Sequence, residues 1–227
     1  MFSEMSHAFI AGMYYNKLKE KFGDNGVDTF RHATQQAGLQ RGHRMALKAL
    51  RDGKPLDIFT YREYGELIRT PDAPVTNLEV ESTSPDYVYK ITSCPWHVQF
   101  EKMGALEAGA CYCAEIDEGL YRGFNPAIGF TAPCNLSRDG FCRHVTPNVF
   151  LDEAPHVAQK NELAKTFDFH CAHLYWCYSD IVEMVFGEEG KKINKEVLEA
   201  YGKEYGEEAI DVIMSYEDYD FNAIEDL

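Results

Sequence analysis

No stretch of this sequence approaches the roughly 18–20 consecutive apolar residues needed to cross a bilayer, so a spanning helix is not expected. The opening residues, Met1-Phe2-Ser3-Glu4, lack a basic segment followed by an apolar one. No secretory leader is read there, and a soluble cytoplasmic protein is expected. Bases are scarce: 22 Lys and Arg face 37 Asp and Glu, for a formal charge of -15. That balance argues against nucleic acid or an anionic membrane surface as partner. C-x-x-C and His-Glu-x-x-His are both absent, which removes two well-marked zinc patterns.

What is present suits a globular chain. Of 227 residues 45% are hydrophobic and 13% aromatic, enough for a sizeable core. The seven cysteines are odd in number and follow no export signal, so they read as thiols.

Residues 4–22 and 27–52 have helical periodicity, with a stop at Gly23 and a turn over Asp24-Asn25-Gly26. Gly38 and Gly42 lie four apart on the second run, where another backbone could approach closely. A third helix is expected over 56–68 and a connector over 70–76. Strands at 77–84 and 87–93 form a hairpin, followed by helices at 96–103 and 105–121. Two more strands, 127–133 and 141–146, are joined by a tight turn at Asp139-Gly140. After a connector at 147–155, helices are expected at 158–187 and 191–215, and the acidic tail at 217–227 is expected to fray. The fold class is α+β: N-terminal helices, a small antiparallel sheet with inserted helices, and a C-terminal helical pair. A single domain over 1–227 is expected, helical over 1–70, cysteine-rich α/β over 77–147 and helical over 156–216. A weak echo between 22–28 and 205–211 reads as coincidence.

The chemistry concentrates in the centre, where Cys94, Cys111, Cys113, Cys134 and Cys142 fall at element edges. Cys111 and Cys113 point roughly 200° apart on a helix and cannot share an ion. Cys113 and Asp117, four apart, share a face, with Asn125 just beyond the helix. Cys94 and His97 bracket a strand-to-helix corner, where a helix dipole and an imidazole would favour a nucleophilic thiolate. The competing explanation for each is ordinary burial.

The run Gly104-Ala105-Leu106-Glu107-Ala108-Gly109-Ala110-Cys111-Tyr112-Cys113-Ala114-Glu115-Ile116-Asp117, then Gly123-Phe124-Asn125-Pro126 and Gly140-Phe141-Cys142, resembles the L-2-amino-thiazoline-4-carboxylic acid hydrolase family. Gln40-Arg41-Gly42-His43-Arg44 also looks like that family's N-terminal helices, and the resemblance covers roughly residues 5–146. It implies a hydrolase that opens a cyclic amidine-like C–N bond in a small heterocycle.

A second unusual stretch places His170, His173 and Cys177 on one helical face, a ligand set suited to Zn²⁺. Zinc would supply a hydroxide near neutral pH, whereas buried histidines on a core helix are the alternative. Of the arginines, Arg31, Arg41 and Arg44 could take a substrate carboxylate, and Arg44 is the one assigned to substrate.

Two mechanisms remain open at this stage. In one, Cys94 or Cys113 attacks, His97 transfers protons, Asp117 orients the base or the substrate nitrogens, and Asn125 and Cys142 line the substrate. In the other, His170, His173 and a cysteine hold zinc while Asp117 acts as base. The alternative function is a non-catalytic small-ligand or metal-binding sensor. The expected partner is a small molecule, and a homo-oligomer is compatible with the sequence.

Overall fold

Glycine sets two corners between long helical limbs of the chain. In the computed structural model, which describes residues 2–153 and 156–224, Gly23 adopts φ 57°, ψ -132° and Gly187 adopts φ 57°, ψ -131°. Both lie in the positive-φ region that side chains disfavour. Each is followed three residues later by a second glycine seated on an earlier carbonyl, Gly26 on Leu18 and Gly190 on Val182, where any Cβ would overlap. The two corners, Phe22-Gly23-Asp24-Asn25-Gly26 and Phe186-Gly187-Glu188-Glu189-Gly190, share one local design. They also meet: the Phe22 and Phe186 rings stack 3.7 Å apart at 2°, and Lys21 pairs with Glu189. Gly206, at φ 97° and ψ 155°, does not repeat this conformation, in keeping with the echo of 22–28 at 205–211 being coincidence.

Helix α1 (Glu4–Arg51) is the frame, broken at Gly23 so that its limbs fold on each other, with Tyr15 and Phe30 in edge contact at 5.2 Å. Helices α2 (Ile58–Glu63), α3 (Pro95–Lys102), α4 (Leu106–Phe124), α5 (Leu136–Asp139), α6 (Phe167–Phe186), α7 (Glu188–Tyr205) and α8 (Glu207–Met214) follow. Strands β1 (Asn77–Ser82), β2 (Tyr87–Ser93), β3 (Thr131–Cys134) and β4 (Cys142–Thr146) form an antiparallel sheet in the order β1-β2-β4-β3. The α+β class and the helix–sheet–helix order match the sequence reading.

The main crossing is between α1 and α4, and glycine makes it close. Gly38 and Gly42 of α1 face Gly119 and Gly123 of α4 backbone to backbone; a Cβ on Gly42 would overlap the Leu120 carbonyl, and one on Gly123 that of Leu39. Gly42→Ala should therefore drive the helices apart and cost about 3 kcal/mol, the upper end for overpacking, read as a lower urea midpoint with unchanged slope. Beyond this contact the core runs from Ile10 and Tyr14 through Phe30, Met45, Phe100 and Leu120 to Leu174, Tyr178 and Val197.

Several elements differ from expectation for local reasons. The helix expected over 56–68 ends at Glu63, and the following segment carries Glu66 into the interior. Pro126 and Gly129 (φ 69°) hold a 3-10 turn at Pro126–Ile128, so β3 begins only at Thr131. A single helical turn, α5, replaces the expected tight turn and is closed by Gly140 at φ 78°. The helix expected from 158 begins at Phe167, because Lys160 and Lys165 bond backbone to backbone with Glu63 and Glu66. Gly206 (φ 97°) splits the last expected helix into α7 and α8. Phe221 is buried against Phe169, so the tail is anchored there instead of fraying. Positions 154–155 of the expected connector and 225–227 of the tail lie outside the described residues.

Candidate active site

Strand pairing brings the first part of the site together. In the β2–β4 ladder Tyr89 faces His144 and Ile91 faces Cys142, so these four side chains share one face of the sheet. Along β4 burial alternates, with Cys142, His144 and Thr146 inward. Across from that face lies α4, whose Tyr112, Cys113, Ile116, Asp117 and Leu120 follow helical spacing. The α1–α4 glycine crossing sets Arg41 beside them. Cys94 closes the ring as the N-cap of α3, with Pro95 at the first helical position.

Ile91, Cys142, His144, the α4 residues, Arg41 and Cys94 line a partly open cavity of about 270 Å³, completed by Tyr61, Leu67, Thr76 and Trp96. Cys94 from the start of α3, Cys113 and Asp117 from α4 and Cys142 from β4 line it together. His144 lies at its floor with Nε2 3.5 Å from Asp117 Oδ2 and Nδ1 2.9 Å from the Tyr89 hydroxyl. Burial keeps Tyr89 protonated. His144 thus bridges Tyr89 and Asp117 through its two ring nitrogens.

Burial pushes up the pKa of all three cavity thiols. For Cys113 the Asp117 carboxylate adds to the effect, and Cys142 is pushed up to about 12. Cys94 also rises by burial, but the backbone N–H groups of His97 and Trp96 pull it back in part. The thiol form is thus favoured throughout. Trp96 donates its indole N–H to His7 Nδ1 at 3.1 Å, and burial, aided by Arg41, holds His7 down at about 3, so it is a neutral acceptor at physiological pH.

The other residues singled out in the sequence lie elsewhere. His97 is outside the cavity lining, its Nδ1 3.1 Å from Ser137 Oγ. Asn125 caps the 3-10 turn through Ala127 N–H and donates to the Leu56 carbonyl at 2.7 Å, in a separate depression. Arg44 is sealed in an ion pair with Glu66 and does not reach the cavity. Arg31 pairs with Asp28 and donates to Cys111.

His170, His173 and Cys177 share a helical face, yet each meets a different neighbour. His170 bonds the Glu66 carbonyl at 3.1 Å, His173 the Gln40 amide oxygen at 2.9 Å, and Cys177 the Ala33 carbonyl at 3.8 Å. Burial lowers the pKa of both imidazoles well below the usual value, so both are neutral core groups. Among the described residues no three His, Cys, Asp or Glu side chains converge as a metal set. The zinc arrangement expected on this helix is therefore not assembled, because periodicity aligned the residues but packing gave each its own partner.

His144 was the residue missed. Its signal was available: once Cys142 is placed inward on a strand, the residue two further on shares its face.

No curated protein and no solved structure matches the chain. A family model described as L-2-amino-thiazoline-4-carboxylic acid hydrolase matches residues 3–143, a span holding Arg41, Cys94, Cys113, Asp117 and Cys142 and stopping one residue short of His144. That match covers more than half of the sequence, and the chain belongs to the L-2-amino-thiazoline-4-carboxylic acid hydrolase family.

Proposed function

We propose that the cavity hydrolyses a small cyclic amidine-like substrate of the 2-amino-thiazoline-4-carboxylate type. The observation that carries this is the meeting of Asp117 and His144 with Cys94, Cys113 and Cys142 in one partly open cavity. At about 270 Å³ that space is just below the usual range for drug-sized ligands and suits a ring compound of about nine non-hydrogen atoms.

Asp117 is the general base: it takes a proton from water as the water oxygen bonds to the amidine carbon. His144, held by Tyr89, keeps the carboxylate aimed and lies in reach of the leaving atom. The adduct collapses with cleavage of the ring C–N bond, the proton passing to the departing nitrogen. Cleavage of the ring C–S bond would instead liberate a thiol. A thiol reagent added to the completed reaction distinguishes the two products.

Elevated thiol pKa values favour water over sulfur as the nucleophile. Cys94→Ser should accordingly keep kcat within about threefold. One observation favours a covalent route, the position of Cys94 at the α3 N-terminus. On that route the same variant would lose activity almost completely.

The decisive test is turnover of 2-amino-thiazoline-4-carboxylate by the full chain, followed chromatographically. Binding without turnover would instead indicate a non-catalytic small-ligand module.

A further inference from the structure

Arg41 is the unexplained group of the cavity. It lines the cavity on the α1 side, and its Nε is buried with no hydrogen-bond partner. Among the described residues no carboxylate lies within ion-pair distance of it. Its neighbours sharpen the imbalance: Arg44 and Lys48 both bind Glu66, at 2.8 and 2.9 Å, and use up that carboxylate. Burial disfavours the Arg41 charge more than distant Glu66 supports it. His7 and His170, which also feel Arg41, are neutral and offer no negative charge. Asp117 lines the same cavity but lies against His144 Nε2, at 3.5 Å, and among the described residues makes no ion pair with Arg41.

A guanidinium with a buried nitrogen left without a partner is unfavourable unless something completes it. A guanidinium is always charged and presents a planar fork of donors matched to a carboxylate. We propose that Arg41 is the anion receptor of this cavity, seating a carboxylate carried by the ligand while the ligand's opposite end faces Asp117 and His144. The identity of that opposite end rests on the hydrolase reading; the carboxylate contact does not. The cavity thus selects a small molecule with an anionic group at one end and a hydrogen-bond-donating, amidine-like group at the other. An uncharged ring of the same shape would leave Arg41 unpaired and bind weakly.

The test separates binding from chemistry. L-thiazolidine-4-carboxylate keeps the ring and carboxylate but has no amidine carbon to hydrolyse, and thiazolidine lacks the carboxylate as well. Calorimetric titration of the full chain with both, and with 2-amino-thiazoline-4-carboxylate, is made for the unaltered protein, Arg41→Gln and Arg41→Lys. Both carboxylates should bind the unaltered protein and weaken about 10- to 150-fold in Arg41→Gln, the range for a charged hydrogen bond, with partial recovery in Arg41→Lys. Thiazolidine should bind weakly and equally to all three proteins. In turnover, Arg41→Gln should raise KM far more than it lowers kcat. Arg41→Gln should also melt at or above the temperature of the unaltered protein, because it removes an unpaired charge; a purely structural arginine would lower it.

Equal affinity of Arg41→Gln and the unaltered protein for the carboxylates overturns the proposal, as does failure of both carboxylates to bind the unaltered protein. If Arg41→Gln does not fold, Arg41→Lys decides: affinity unchanged or lost entirely overturns it, and partial loss supports it. Arg41-dependent carboxylate binding without any turnover would retain the receptor and discard the hydrolase. Turnover with a KM indifferent to Arg41 would do the reverse.

Discussion

Glu66→Ala is expected to lower the unfolding free energy by about 3–5 kcal/mol, the usual cost of breaking a buried ion pair from one side. Glu66 has no exposed surface, and it takes Arg44 at 2.8 Å and Lys48 at 2.9 Å, themselves 1% and 5% exposed. The substitution removes one charge and strands two. Arg44 would retain the Phe221 carbonyl at 2.5 Å and Lys48 the Leu163 carbonyl at 3.2 Å, neither of which neutralises a cation. For a chain of this length the loss corresponds to a fall in melting temperature of about 10 °C, measurable by calorimetry. The same network gives a pH dependence of known sign. Burial alone would raise the Glu66 pKa, but Arg44 and Lys48 outweigh it and hold the carboxyl at about 2 against an ordinary 4.5. A depressed folded-state pKa stabilises above the unfolded value, so this contribution is complete above about pH 4.5 and fades toward pH 2. It amounts to about 3 kcal/mol. Acid unfolding of Glu66→Ala should lack that step, although its overall stability is lower.

Asp117→Asn should reduce kcat by about 10²–10⁴-fold, the range for loss of a general base, while leaving the fold intact. The side chain is 32% exposed and lies 3.5 Å from His144 Nε2, so stability should change by less than about 1 kcal/mol. The amide keeps the shape of the carboxylate and loses only its capacity to take a proton. Steady-state kinetics beside a thermal melt check both halves. Full activity in Asp117→Asn would refute the assignment of the base.

Much of this arrangement was legible because it depends on short-range periodicity. Cys113 and Asp117 had to share a face of α4, and Gly38 with Gly42 marked where another backbone would come close. Strand alternation would have added His144 to Cys142. Arg41 and Arg44 show where such reasoning stops. Three residues apart on one helix, they differ by about 60° in direction, and which of them is free depends on Glu66. That residue was assigned to a helix that in fact ends at Glu63. The His170 helix has the same difficulty from the other side. Its face was found correctly, but the oxygens of Glu66, Gln40 and Ala33 that occupy it come from distant elements that no local pattern reports. The Gly23 stop and the break between the helices expected at 158–187 and 191–215 were readable, but not as a matched pair, since their likeness lies in backbone angles and in two rings that meet only after folding.

The short stretch that carries Leu67 into the cavity wall is tied down from outside the span that the family signature covers. Gln159 reaches the carbonyls of Gly65 and Leu67 at 2.6 and 2.9 Å, and Leu67 bridges Lys165 in parallel register. The cavity wall at Leu67 is therefore held by the last third of the chain, whereas the other residues that line the cavity belong to the first two thirds. Two proteins with identical signatures could thus admit different guests.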